Sequence, residues 1–279
     1  MASERPLLLV DNVFDATNLY PTAVLSSTGD AAGRSVRAVS DYRRERTFWQ
    51  AATSAADRDV RVDLGSGNSR LVDSAWLDRG HNLWGLTVRV DASDASDFST
   101  GDGLQWVVPA EGTVGGDPTA GWCVTEEGAL YTLFSGFSAR RYFRVRVVSA
   151  AQPILTGVIV GARTQLAVYS RQLDEDAGER NERMLDSDAM YSAVDRVYSR
   201  RTLNLDLAVI GASSYDAQIR SLRGWLFERN QPVFVVMNYG TKPERGWLYQ
   251  YAGRSWSFGA DRSHRKGSIP LRELGPLIR

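Results

Sequence analysis

Residues 59–90 read DVRVDLGSGNSRLVDSAWLDRGHNLWGLTVRV, and this stretch decides the fold class. Val60, Val62 and Leu64 alternate with Arg61 and Asp63. Gly65-Ser66-Gly67-Asn68 breaks the run, and Leu86, Val88 and Val90 resume it after His81-Asn82-Leu83. A period of two sends successive side chains to opposite faces. Such runs bounded by Gly and Asn predict half-buried antiparallel strands joined by turns. Further on, Leu104 to Val108 reads as a strand, and Tyr142, Arg144 and Arg146 alternate with Phe143, Val145 and Val147 as a longer one. Between them residues 112–121 hold four Gly and one Pro, a loop by composition.

Working outward, 279 residues suffice for two domains that each bury a core. The apolar fraction of 43% is that of a folded globular chain. Lys+Arg 33 against Asp+Glu 33 leaves a formal charge of +0, so no bulk field draws the chain to nucleic acid or an anionic membrane. Only Lys242 and Lys266 are lysines. Arginine suits bidentate carboxylate pairing and ring stacking, both common at permanent interfaces, although a GC-rich coding sequence produces the same bias. The single cysteine, Cys123, excludes an intrachain disulfide framework, and Trp122 and Val124 beside it predict an inert core thiol. Leu7 to Val10 is too short for a secretory h-region, and no run approaches a membrane span, so synthesis in the cytoplasm without membrane insertion is expected.

Residues 18–63 carry a resemblance. A Thr22-Ala23-Val24 strand, a Ser26-Ser27 pair, a small-residue stretch, a charged segment ending in Phe48-Trp49-Gln50, and Val62-Asp63-Leu64-Gly65 together resemble the discoidin, or galactose-binding-like, jelly roll. The resemblance implies a sandwich over residues 1–150, with Trp49 closing the bottom of the barrel and the strand at Asp63-Leu64-Gly65 crossing the core. Its members include sugar-binding and lipid-binding modules and virion or adhesion parts, so the fold leaves the ligand open.

After a hinge at residues 149–153 the rhythm changes, and residues 151–279 read as a second domain. Strands are expected at Thr156–Gly161 and Thr164–Tyr169, then at residues 200–210, 233–237, 246–251, 255–258 and 267–274. One helix is expected over 213–230, with Ile219, Leu222 and Leu226 on one face, Ser213 as N-cap with Asp216 three residues on, and Pro232 as the stop. Residues 171–198 are charged and poorly periodic, and read as a long polar loop.

This order, with the stretch from Ser221 to Val236 running a helix into a buried strand, resembles the tail-tube and distal-tail domains of tailed bacteriophages. The resemblance implies a second sandwich whose polar loop touches the next subunit in a ring. Arg171, Asp174, Glu179, Arg180, Glu182 and Arg183 are then candidate interface residues, supplying both signs of charge for pairing with an identical neighbour. The partners implied are further copies of the chain and other tail proteins, in a virion.

Catalytic motifs are not found. His81 and His264 are the only histidines, and neither has a second ligand at metal-binding spacing. Asp78 near His81 imitates a base with its orienter, but a turn histidine is the commoner source of that pattern. Glu126 and Glu127 are adjacent rather than distributed over facing strands. Asp91, Asp94 and Asp97, and separately Asp174, Glu175 and Asp176, offer oxygen ligands. Structural calcium is therefore the one cofactor the chain admits, although solvated turns are commoner. Trp76, Trp84, Trp106 and Trp122 bring a second functional reading: an exposed ring beside polar groups would stack a sugar, whereas burial would make them core. The sequence thus favours a mostly β, non-catalytic component of a phage tail, tail tip or connector. The alternative is a carbohydrate-binding module for attachment to a cell-surface glycan, with an accessory domain of a hydrolase as a more distant third.

Overall fold

The computed structural model describes residues 6–15, 20, 22–42, 47–52, 58–148, 152–166, 173–185, 191–211, 219–253, 255, 258–261 and 264–274. The chain forms two compact units: Met1–Gln165 with Phe234–Trp247, and Leu166–Val233 with Leu248–Arg279.

In the first unit, β1 (Leu7–Val10), β2 (Val24–Ser27), β3 (Trp49–Gln50), β4 (Arg58–Asp63), β5 (Ser74–Leu77) and β6 (Thr87–Ser93) are followed by β7 (Asp102–Val107), β8 (Cys123–Val124), β9 (Leu130–Leu133), β10 (Tyr142–Val148), β11 (Ile154–Leu155) and β12 (Val158–Gln165). One sheet has the order β2-β4-β10-β6-β7, every pair antiparallel. Its register aligns the apolar positions in rows: Val145 faces Val60 on one side and Val90 on the other, and Phe143 faces Val62 and Ala92. These residues pack on Ala75, Leu77, Leu130, Val158 and Val160, which belong to the sheet of β12, β5, β9 and β8. The first unit is therefore an antiparallel two-sheet sandwich, and the mostly β expectation holds.

Local chemistry explains the turns. The Asp63 carboxylate accepts from the N–H of Gly65 at 2.8 Å, and the Asn68 amide donates to the carbonyl of Leu64 at 2.8 Å. Gly65 sits at φ +86°, where a Cβ would lie 2.2 Å from Oγ1 of Thr22, so only glycine fits. Trp49 is fully buried, as the resemblance implied, and β3 pairs with β11.

The expected boundary at residue 150 differs from the division into compact units. Val158 to Gly161 are laddered to β5, and Leu7 to Val10 pair with Gln165 to Ala162, so β12 is an inner strand of the first sandwich. It runs unbroken where two strands, 156–161 and 164–169, were expected; residues 167–169 lie outside those described. β15 (Val233–Val236) continues this sheet, with Leu7, Leu8 and Leu9 opposite Val236, Val235 and Phe234.

The second unit corrects the long polar loop. β13 (Leu173–Leu185) and β14 (Tyr191–Gly211) form an antiparallel ribbon from Leu173 opposite Leu205 to Leu185 opposite Tyr191. Hydrophobic periodicity reports strands with one buried face, whereas a two-stranded ribbon is held by its backbone ladder, and that leaves no apolar trace. β14 also pairs with β18 (His264–Glu273), which pairs with β16 (Gly246–Tyr251) and β17 (Phe258–Asp261). Of the strand expected at 255–258, Phe258 belongs to β17, and residues 256 and 257 lie outside those described.

The helix expected over 213–230 is shorter among the described residues. One α turn, Arg220–Leu222, widens into a π turn, Arg223–Glu228, closed by Arg229 N–H to the Gly224 carbonyl at 3.2 Å. Ile219, Leu222 and Leu226 are buried as expected. Ser213 and Asp216 lie outside the described residues.

Candidate functional site

An open pocket of about 440 Å³ lies in the first unit, lined by Gly33, Arg34, Ser35, Arg37, Ala38, Asp41, Thr47 and Phe48. Asp30 organises its base: the carboxylate accepts from Trp49 Nε1 at 2.8 Å and from Val36 N–H at 3.2 Å, and also from the Ser27 hydroxyl. Ser35 then caps the 3-10 turn Val36–Ser40, its hydroxyl accepting from Arg37 N–H at 3.3 Å. Val36 and Val39 point into the core and anchor that turn, which leaves Arg37 on its exposed side.

Within the pocket the guanidinium of Arg34 lies over the half-buried ring of Phe48, 3.8 Å from its centroid. Oγ1 of Thr47 is enclosed and has no hydrogen-bond partner, which is costly for a hydroxyl and suits a ligand able to supply one. Among the described residues no carboxylate pairs with Arg34 or Arg37. Arg61, Arg89, Arg141 and Arg144, by contrast, each meet an aspartate. The pocket therefore offers donors from two arginines and a hydroxyl, an acceptor at Asp41 and one aromatic ring.

A second cavity in the same unit, about 430 Å³, is lined by Leu7, Asp73, Thr119, Leu133, Arg163, Gln165 and Tyr239. Its charges are mutually satisfied: Arg163 donates to Asp73 through its backbone N–H at 2.7 Å and approaches the other carboxylate oxygen through Nε at 3.3 Å. Burial raises the Asp73 pKa.

The residues singled out in the sequence fall elsewhere. Asp174, Glu179, Arg180, Glu182 and Arg183 lie in β13, opposite Asn204, Ser199, Tyr198, Asp195 and Val194; Arg171 lies outside the described residues. His81 is buried, its Nδ1 accepts from Leu83 N–H at 3.2 Å, and burial pushes its pKa down to about 4. Its ring lies 4.6 Å from that of Trp84. Cys123 is buried and its pKa is pushed up to about 12, chiefly by desolvation, as suits a core thiol. Glu126 and Glu127 meet Arg245 and Arg79.

Of the aspartates considered for calcium, Asp91 is bound by Arg89 and Arg144, and Asp94 by Arg140. The side chains of Asp174 to Asp176 lie outside the described residues. Among the described residues no three His, Cys, Asp or Glu side chains are grouped to hold a metal.

The tryptophans take the core option. Trp76 and Trp122 are buried, and the partly buried Trp84 and Trp106 pack against the core, Trp106 meeting Trp122 edge-on at 6.3 Å. The ring beside polar groups is Phe48, which was legible only as the end of a charged segment. The usable signal was Val36 and Val39 three apart, alternating with Arg34 and Arg37, an amphipathic turn too short for a periodicity search.

No family model matches the chain, and no curated protein matches it. Among solved structures it is similar to a chitosan-binding module from a Paenibacillus sp. IK-5 chitosanase/glucanase, at 15% identity and TM-score 0.34 over 49% of this chain and 92% of that one. It is also similar to the family 32 carbohydrate-binding module of Clostridium perfringens NanJ in complex with galactose, at 15% identity and TM-score 0.34 over 56% and 99%. A third is a Ruminococcus gnavus GH29 fucosidase in complex with fucose, at 13% identity and TM-score 0.38, where 55% of this chain spans only 27% of the enzyme.

Proposed function

We propose that the first unit is a carbohydrate-binding module whose ligand occupies the pocket between Gly33 and Phe48. The observation that carries this reading is the enclosed, unpartnered Thr47 hydroxyl in a pocket that also presents arginine donors, the Asp41 acceptor and the Phe48 ring. Sugars present adjacent hydroxyls that both donate and accept, together with apolar C–H patches, so a site needs groups of each kind around a shaped surface. The reading is of binding without turnover. A glycan array probed with the purified chain, followed by calorimetry on Phe48→Ala and Asp41→Asn, tests it. Binding that both variants weaken supports the reading, and binding untouched by either overturns it.

A second reading concerns the other unit: assembly into a ring as a component of a phage tail, tail tip or connector. The ribbon supports it, because β13 is an edge strand whose outer backbone edge has no strand partner among the described residues. An unpaired edge is a template for a strand from another chain. Arg171, Asp174, Glu179, Arg180, Glu182 and Arg183 remain its candidate contacts, with virion location and other tail proteins as the corollary. Electron microscopy of the intact chain and of a variant lacking residues 174–186 tests it: rings lost in a folded variant support the reading, no rings from the intact chain refute it, and rings unchanged by the deletion refute the ribbon as the contact.

A further inference from the structure

We infer that the pocket selects an anionic saccharide, one bearing a carboxylate or sulfate; this rests on the carbohydrate reading above. One face of the Phe48 ring is covered by the guanidinium of Arg34, 3.8 Å from the ring centroid, so on that side a ligand meets the guanidinium and the ring serves as its support. A stacked guanidinium keeps its edge N–H donors, and those donors form the planar fork that oxyanions accept in pairs. Arg37 adds a second fork from the exposed side of a turn that Val36 and Val39 hold in place.

The charge balance points the same way. The lining holds two guanidinium groups against one carboxylate, Asp41, in a chain whose formal net charge is +0. Among the described residues, the nearby carboxylate of Asp30 is committed to Trp49, Val36 and Ser27. Thr47 Oγ1 offers one more hydrogen-bonding group, enclosed and unpaired. Among the described residues, the pocket thus holds two arginines that no carboxylate pairs with, on a molecule that pairs its arginines with aspartates along the five-stranded sheet.

The test uses the full chain on an array carrying uronate, sialylated, sulfated and neutral saccharides. The acidic members are expected to bind. Carboxyl-methylated and desulfated counterparts then report which oxyanion is read. For the tightest binder, Arg37→Gln is expected to weaken affinity about tenfold, the scale of one charge-assisted hydrogen bond, and 0.5 M NaCl to weaken it further. Arg37 is exposed, so this variant folds; Arg34→Gln is read beside it, with a thermal melt to show that the fold persists. If neutral saccharides bind as well as acidic ones, or if both glutamine variants keep full affinity, the anion inference falls while the carbohydrate reading stands. If nothing on the array binds, both fall.

Discussion

Arg144 lies with its guanidinium 4.2 Å from the ring centroid of Phe98 while its Nη2 reaches Asp91 at 2.9 Å. Its Nη1 stands 3.7 Å from Asp59, and both aspartates are buried. One side of the five-stranded sheet therefore carries a charge network that Phe98 roofs at Arg144. The register that puts Val145 in the core puts Arg144 here, between Arg61 and Asp91.

Replacing Arg144 by Met is expected to cost about 1–3 kcal/mol, because each buried aspartate loses one of its two arginines, Asp91 keeping Arg89 and Asp59 keeping Arg61. Urea denaturation measures this. A loss below 1 kcal/mol would mean that the aspartates find other partners. The triple replacement of Arg144, Asp59 and Asp91 by apolar residues should recover much of the loss.

Asn12 holds the first strand to β12 from inside the core. Its Oδ1 accepts from Phe14 N–H at 3.1 Å and Val160 N–H at 2.9 Å, and its Nδ2 donates to the Val158 carbonyl at 2.8 Å and to the Tyr42 hydroxyl. Asn12→Leu leaves two buried N–H groups unpaired and should destabilise by about 3 kcal/mol or more. Hydrogen exchange at Val160 should speed up in step.

His81 predicts a pH dependence. Its pKa is lowered from 6.5 to about 4 by burial, so the unfolded chain binds the proton first. Stability from this group is therefore fully present above pH 6.5 and is lost as pH falls from 6.5 toward 4. The size is about 3 kcal/mol. Denaturation midpoints measured at pH 7 and pH 4.5 should converge in His81→Gln. An unchanged pH slope in that variant would assign the loss to other groups.

Gly65→Ala should destabilise through two separable causes, a strained φ and a Cβ in contact with Thr22. Adding Thr22→Ala should restore only the steric part. Full recovery in the double variant would show that the backbone tolerates the conformation.

The sandwich was legible because its strands have one wet and one dry face: Val60, Val62, Val88 and Val90 announce themselves at a period of two. The ribbon was not, since Asp174 to Arg183 has no apolar rhythm and its pairing is a property of the backbone. Nor was the pocket. Asp30, Arg34 and Phe48 meet only once β3 is laid against β11 and Trp49 reaches back to Asp30, a long-range pairing that no local pattern encodes.

The placement of β1 has a consequence for how the polypeptide is made. Leu7 to Val10 emerge from the ribosome long before their ladder partners, Ala162 to Gln165 on one side and Phe234 to Val236 on the other. Vectorial synthesis therefore cannot complete the first sandwich early. A nascent chain halted before residue 158 has neither neighbour for its first strand, and one halted before 234 leaves that strand exposed as a sheet edge. Only Leu166–Val233 of the second unit is translated in between; its remaining strands follow from Leu248, so β14 waits for β18 after the first unit's own last segment has been made.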